Sequence, residues 1–106
     1  DSNISVKIEG GSNSGKYYTS DSTIRVYQKE SPTITISAKQ GYKIVSVKIN
    51  YTSDKTGVLT KDSVNVATGT TVTVDGTSIA FSVGNTGTAI NGQVRITSIE
   101  VVYVAA

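Results

Sequence analysis

Residues 43–51 read KIVSVKINY and residues 95–103 read RITSIEVVY. Both follow one pattern: a basic residue, Ile, a free position, Ser, a β-branched residue, a charged residue, a second β-branched residue, a free position and Tyr. Val47, Ile49 and Tyr51 share a parity in the first copy, as do Ile99, Val101 and Tyr103 in the second. That alternation is the signature of a half-buried strand. Ile44 and Ile96, however, fall on the opposite parity. One extra residue near Ser46 and near Ser98, a β-bulge, lets both isoleucines point inward; a strand buried on both faces at that end is the alternative. The two copies suit neighbouring strands of one sheet, or equivalent strands of two sheets. If they pair, Lys48 and Glu100 come together on the outer face, an interaction of at most about a few tenths of a kcal/mol. The repeat reads as scaffold, a recurring strand grammar with no chemistry of its own.

The rest of the chain divides in the same way. NISVKIE (3–9), KYYT (16–19), STIRVYQ (22–28) and TITISA (33–38) precede the first copy. The polar segment 52–63 reads as a long loop carrying a short strand around Val58 and Leu59. VNVAT (64–68), TVTV (71–74) and TSIAFSVG (77–84) lead to the second copy, with Asp75-Gly76 and Asn91-Gly92 as hairpin dipeptides. Pro32 stands at the start of a strand, where its missing N–H is tolerated. No segment spaces apolar residues three or four apart. The expectation is an all-β fold, an antiparallel β-sandwich of jelly-roll or Ig-like type, with eight to ten short strands in one domain over residues 1–106. A chain of this length buries roughly 65% of its unfolded surface. With one Phe and no Trp, its core must come from Val, Ile and a few Tyr.

Ten Lys or Arg against eight Asp or Glu give a net charge of +2, with the two signs interspersed. Nucleic-acid binding needs a basic stripe that is absent here. The chain has no Cys and no His, which excludes disulfides, thiolate metal sites and Cys nucleophiles. No apolar run approaches the roughly 18 residues of a membrane span. An opening Asp1 and the lack of Met imply a module excised from a longer, exported protein, secreted or on the cell surface. It is expected to be monomeric and to contact the neighbouring domains of its parent.

The runs YKIVSVKINY and SIAFSVGNTGTAINGQVRITSIEVVY, and above all residues 92–103, resemble an accessory module of secreted multidomain proteins of gut-type bacteria. The likeness covers residues 33–103. It implies a carbohydrate-binding-module-like or Ig-like β-sandwich beside glycan-active or adhesive domains, and carries no site residues.

Catalysis without His or Cys would require a carboxylate pair or a Ser-Lys arrangement. The acids, Asp1, Glu9, Asp21, Glu30, Asp54, Asp62, Asp75 and Glu100, sit mostly in turns or at strand ends, and no spacing pairs two of them on one strand face. The sequence also lacks the Gly-x-Ser-x-Gly elbow and a phosphate loop. These features argue against an enzyme. Asp54, Asp62, Asp75 and Asn85 are hard oxygen ligands of the kind calcium takes, but without EF-hand spacing they are more economically read as turn formers.

Glycan binding asks for less: exposed aromatic rings to stack on sugar rings, and polar groups for the hydroxyls. Six Tyr for one Phe is a fitting inventory, since Tyr has an apolar body and a polar tip. Tyr27 lies opposite the parity of Ile24 and Val26, beside Arg25. One ring of Tyr17-Tyr18 must face outward. Tyr42 lies off the parity of Val47 and Ile49, and the bulge leaves its direction open. Tyr51 and Tyr103 follow the core parity. The expected ligand contacts are therefore Tyr17, Tyr18, Tyr27 and Tyr42 as stacking platforms, with Arg25, Lys48 and Asn50 as polar partners to a polysaccharide or other glycan. The alternative is a structural spacer, an adhesin or a virion-surface Ig-like domain without sugar binding.

Overall fold

The computed structural model describes residues 2–106; Asp1 lies outside them. Ten strands and one 3-10 turn follow in order: β1 (Ile4–Glu9), β2 (Lys16–Tyr18), β3 (Thr23–Tyr27), the turn Gln28–Glu30, β4 (Thr33–Ala38), β5 (Tyr42–Asp54), β6 (Gly57–Lys61), β7 (Val64–Val66), β8 (Thr71–Gly76), β9 (Ser78–Asn85) and β10 (Gln93–Ala105). They form two antiparallel sheets of five strands. The front sheet has the order β2-β3-β10-β5-β8, and the back sheet β1-β4-β9-β6-β7.

The two copies of the repeated pattern are β5 and β10, and they pair with each other. Lys48 stands opposite Glu100, Ile49 opposite Ile99 and Val47 opposite Val101. A local pseudo-twofold axis therefore runs between Lys48 and Glu100, which are themselves equivalent positions of the pattern. The register shifts obey the same axis. Thr97 is the extra residue between the pairs Ile96–Tyr51 and Ser98–Asn50, and Val45 is the extra residue between Tyr103–Ile44 and Val102–Ser46. Two bulges, one residue before each Ser of the pattern, turn Ile44 and Ile96 inward, where both are buried. Lys48 and Glu100 meet at 3.5 Å on the outer face.

Inward positions of both sheets build one core. Val26, Ile44, Val47, Val94 and Ile96 of the front sheet meet Ile34, Ile36, Leu59, Ile79 and Phe81 of the back sheet. Within the back sheet, Ile34 lies opposite Phe81 and Ile36 opposite Ile79. Tyr51 is the one buried phenol; its hydroxyl donates to the Val66 carbonyl and accepts from the Leu59 N–H. Burial pushes its pKa above the ordinary phenol value.

Three connections differ from the sequence expectation. Residues 52–63 hold less loop than expected: β5 runs on to Asp54, and the short strand expected around Val58 and Leu59 is β6, Gly57–Lys61. Lys55-Thr56 and Asp62-Ser63 turn the chain with positive φ at all four residues and no glycine, so no turn dipeptide marks them. Asp75 and Gly76 belong to β8, with Gly76 opposite Ile44, and the chain then crosses to β9 in the other sheet. Asn91-Gly92 likewise precedes a change of sheet, from β9 to β10.

Glu30 organises the loop between β1 and β2. Its carboxylate accepts the Ser12 and Asn13 N–H groups at 3.1 Å each and the Ser14 hydroxyl at 2.7 Å. The Ser14 bond chiefly holds the Glu30 pKa below its ordinary value, with the loop N–H groups adding. A depressed folded pKa means that the folded state binds fewer protons, so this stabilisation is complete above the unfolded value and is lost as pH falls through the folded one. Glu30→Gln is expected to lower Tm at neutral pH, and the gap to the parent should begin to narrow as pH falls below the ordinary Glu value of about 4.3 and close below the depressed folded one. Circular-dichroism melts across pH measure this; a gap independent of pH would refute the assignment.

Candidate functional site

The outer face of the front sheet carries a compact group of polar and aromatic side chains at the β2-β3-β10 edge. The pairing of β3 with β10 sets Arg25 opposite Arg95 and Tyr27 opposite Gln93. Val26, Val94 and Ile96, on the other parity, are buried, so these four point outward.

Two cations side by side require compensation. Asp21 lies 3.3 Å from Arg25 and 3.8 Å from Arg95, and Asp54 lies 3.6 Å from Arg95. The Arg95 guanidinium also donates to the Gln93 side-chain oxygen at 3.3 Å. Asp21 is held below the ordinary carboxylate pKa chiefly by the Thr23 hydroxyl, which donates to it at 2.7 Å, with the two arginines adding. The Arg25 guanidinium sits 4.0 Å above the centre of the Tyr18 ring, a cation–π contact. Tyr18 and Tyr27 share a hydrogen bond between their hydroxyls at 3.1 Å. Burial raises the Tyr27 pKa, and this bond raises it further. The Nε atoms of both arginines are covered and lack a hydrogen-bond partner. Both guanidiniums are thus held through their terminal nitrogens.

A small cleft of about 170 Å³ adjoins this group, lined by Tyr27, Lys29, Lys55, Asn91, Gly92 and Gln93. Its floor depends on a close approach of backbones. A Cβ on Gly57 would stand 2.4 Å from the Gln93 carbonyl oxygen, and one on Gly92 would stand 2.6 Å from the Gly57 Cα. Asn85 ties the walls together, donating to the Lys55 carbonyl and to the Gln28 side-chain oxygen at 3.1 Å each. Its own oxygen accepts the Thr56 hydroxyl and the Gly87 N–H. This anchoring holds Thr56 at φ 58°, a conformation that β-branched residues rarely adopt. Among the described residues, the side chains of Lys29, Lys55 and Asn91 have no hydrogen-bond or ionic partner in the protein, so they are free to meet a ligand.

The seven residues expected from sequence are distributed unevenly. Tyr18, Tyr27 and Arg25 come together. Tyr17 lies on the other parity of β2, opposite Ile24, and is 59% exposed at the sheet edge. Tyr42 lies at the far end of the sandwich, edge-on to Tyr103 with ring centres 5.6 Å apart. Lys48 and Asn50 share the outer face with the group but lie farther along β5. There Lys48 pairs with Glu100, and Asn50 donates to Ser98 and Glu100 at 2.8 and 2.9 Å. Asp21, Lys29, Asp54, Lys55, Asn91, Gln93 and Arg95 were not among the ligand contacts expected from sequence, although Asp54 was weighed as a calcium ligand and Asn91 as a turn former. Outward parity on a strand was the available signal for Gln93 and Arg95, but their partners depend on strand order.

Asp54, Asp62, Asp75 and Asn85 do not converge. Asp54 faces Arg95, Asp62 faces Lys61, Asp75 faces Lys43, and Asn85 holds the turn after β5. Among the described residues, no three acidic side chains gather, and no helix is long and apolar enough to cross a membrane. Comparison with protein-family models, with curated proteins and with solved structures found no match to this chain.

Proposed function

We propose that this chain is a non-catalytic glycan-binding module of an exported protein, secreted or at the cell surface, and that it binds sugar where the Tyr27 edge of the front sheet meets the adjoining cleft. The observation that carries this reading is the composition of that cleft. One aromatic wall, two amides and two ammonium groups line a depression comparable in size to one sugar ring. Tyr27 supplies an apolar surface for a pyranose face. Gln93, Asn91, Lys29 and Lys55 supply donors and acceptors for hydroxyls. Arg25 occupies one face of Tyr18, so Tyr18 orients Tyr27 through the shared hydroxyl bond and is not itself an open platform.

A glycan array of plant, mucin and microbial sugars, with hits measured by calorimetry, tests this. Tyr27→Ala is expected to weaken a hit at least tenfold, about 1.4 kcal/mol, while the protein still folds. Gln93→Ala should weaken it in the same sense. Lys29→Ala and Lys55→Ala should act most on acidic sugars, and more strongly at low ionic strength. Undiminished binding by Tyr27→Ala would remove the site from this edge; silence across the array would remove the reading. A second reading, a spacer or adhesive module that contacts other polypeptides, is favoured by an uncovered strand edge elsewhere on the front sheet.

A further inference from the structure

The pseudo-twofold axis between β5 and β10 is obeyed by their pairing and by their bulges, but not by their outer neighbours. On the far side of β5, β8 covers the stretch from Ile44 to Lys48, with Thr71 opposite Lys48, Val72 opposite Val47 and Thr73 opposite Ser46. The axis carries this stretch onto Ile96 to Glu100 of β10. There β3 ends: it pairs with Gln93 to Ile96 and goes no farther. Among the described residues, no strand pairs with β10 on that side from Thr97 to Val102. A strand central in the sheet order thus has an open edge over half its length.

The inward side of this edge is also apolar, while Thr97, Ser98 and Glu100 are exposed. Behind it lies a groove of about 330 Å³ between the two sheets, lined by Ile4 and Val6 of β1 and by Ile99, Val101 and Tyr103 of β10. Val6 occupies an inward position, opposite Ile36, yet is 45% exposed. Val102 on the outer face is 55% exposed. Ile99 and Val101 are only half-buried, whereas Val47, the pattern equivalent of Ile99, is 1% exposed. Val72 and Val74 of β8 pack against the core on the covered side; among the described residues, no paired strand supplies their counterparts beside Ile99. Proteins ordinarily blunt such an edge with charge, proline or a covering segment, because unpaired backbone groups template a further strand.

We propose that the Thr97–Val102 edge of β10 is a strand-addition site that takes an extended segment of another polypeptide, antiparallel to β10, into the position that β8 holds on β5. This gives the spacer or adhesive reading a specific contact and is independent of the glycan site. The pseudo-symmetry fixes the chemistry of the segment. It alternates β-branched apolar residues, directed into the groove, with Thr or Ser on the outer face. A residue equivalent to Thr71 stands opposite Glu100, one equivalent to Val72 opposite Ile99, and one equivalent to Thr73 opposite Ser98. Main-chain hydrogen bonds supply the affinity, and the alternate apolar side chains supply the selection.

The β8 sequence itself is therefore the natural probe. A synthetic peptide Gly-Thr-Thr-Val-Thr-Val-Asp-Gly, copying residues 69–76, would be titrated into the 15N-labelled protein. A control peptide of the same composition would place its two valines together. Saturable shifts at Thr97–Val102 and Val6, with slowed amide exchange over Thr97–Val102 for the alternating peptide alone, are the expected result. Val6→Lys changes a half-exposed groove residue without touching the core, and should weaken the peptide roughly tenfold or more with Tm little altered. Shifts confined to other strands, equal binding of the two peptides, or equal binding by Val6→Lys would each overturn the proposal. Concentration-dependent dimers of the free protein that Val6→Lys abolishes would also overturn it, because the occupant would then be a second copy of this chain. Since the peptide site and the Tyr27 cleft share no residue, failure here leaves the glycan test standing, and failure of the glycan array leaves this one.

Discussion

Phe81→Ala is expected to cost about 3–5 kcal/mol of folding stability, enough to leave the domain largely unfolded if its total lies at the low end of about 5–15 kcal/mol. Phe81 is 1% exposed at the centre of β9, and its neighbour across the ladder is Ile34. It is the only Phe of a chain without Trp or Met. The surrounding core is Ile, Val and Leu on paired strands of both sheets. β-Branched side chains are stiff at χ1, and strands held in register by their ladders cannot slide inward to fill the space. Such a site collapses poorly, so the loss should fall toward the upper end of the range. Urea titration followed by far-ultraviolet circular dichroism measures it, with Phe81→Leu as the comparison, expected to lose clearly less. A loss for Phe81→Ala of under about 1.5 kcal/mol, typical of volume-conserving swaps, would show that the two sheets close over the void.

The strands were legible in the sequence, and the neighbours of each strand were not. A half-buried strand writes its burial locally, in residues two apart, which is why Ile4–Glu9, Thr33–Ala38 and the repeated pair could be found from the chain alone. The bulges were legible for the same reason: Ile44 and Val47, three positions apart, cannot both be inward positions of a regular strand. Turn dipeptides misled because they report local backbone preference and not the destination of the chain. Asp75-Gly76 continues β8 before the chain changes sheet, while Lys55-Thr56 turns sharply with residues that rarely do so.

The candidate site divides along the same line. Arg25 and Tyr27 are close in sequence and outward by parity, and one ring of Tyr17-Tyr18 had to face outward near them; that it is Tyr18 follows from the register of β2 on β3. Arg95 and Gln93 join them only because β10 lies beside β3, a fact of strand order that alternation leaves open. Tyr42 lies at the opposite end of the sandwich from this group, beside Tyr103. The open edge of β10 was invisible for a related reason: it arises from the length of β3, which stops at Thr23, and not from anything written in β10.

Gly57→Ala is expected to destabilise the protein at or beyond the upper end of the roughly 1–3 kcal/mol typical of overpacking, and to weaken any ligand held in the Tyr27 cleft. Gly57 opens β6 in the back sheet, directly against Gln93, which opens β10 in the front sheet. An added Cβ would lie 2.4 Å from the Gln93 carbonyl oxygen and 2.5 Å from its nitrogen, closer than a side-chain carbon comes to backbone. The obstruction is main chain, so no rotamer change relieves it, and Gly92 is packed against the same point, 2.6 Å from the Gly57 Cα to where its own Cβ would stand. One sheet must move off the other at this corner. That movement separates Gln93 from Lys55, and strains the Asn85 bonds that hold the Lys55–Thr56 turn. Gly57 does not have a positive φ, so the penalty is one of space and not of backbone preference. Gly69→Ala provides the contrast: its φ is 76°, and an added Cβ would approach only the Asn50 side chain, at 3.5 Å. It should show the cost of a left-handed alanine with ligand affinity unchanged. Paired urea titrations and calorimetry on the two variants separate the effects. If Gly57→Ala loses no more stability than Gly69→Ala and binds as the parent does, the two sheets are not held together at this corner and the cleft does not depend on it.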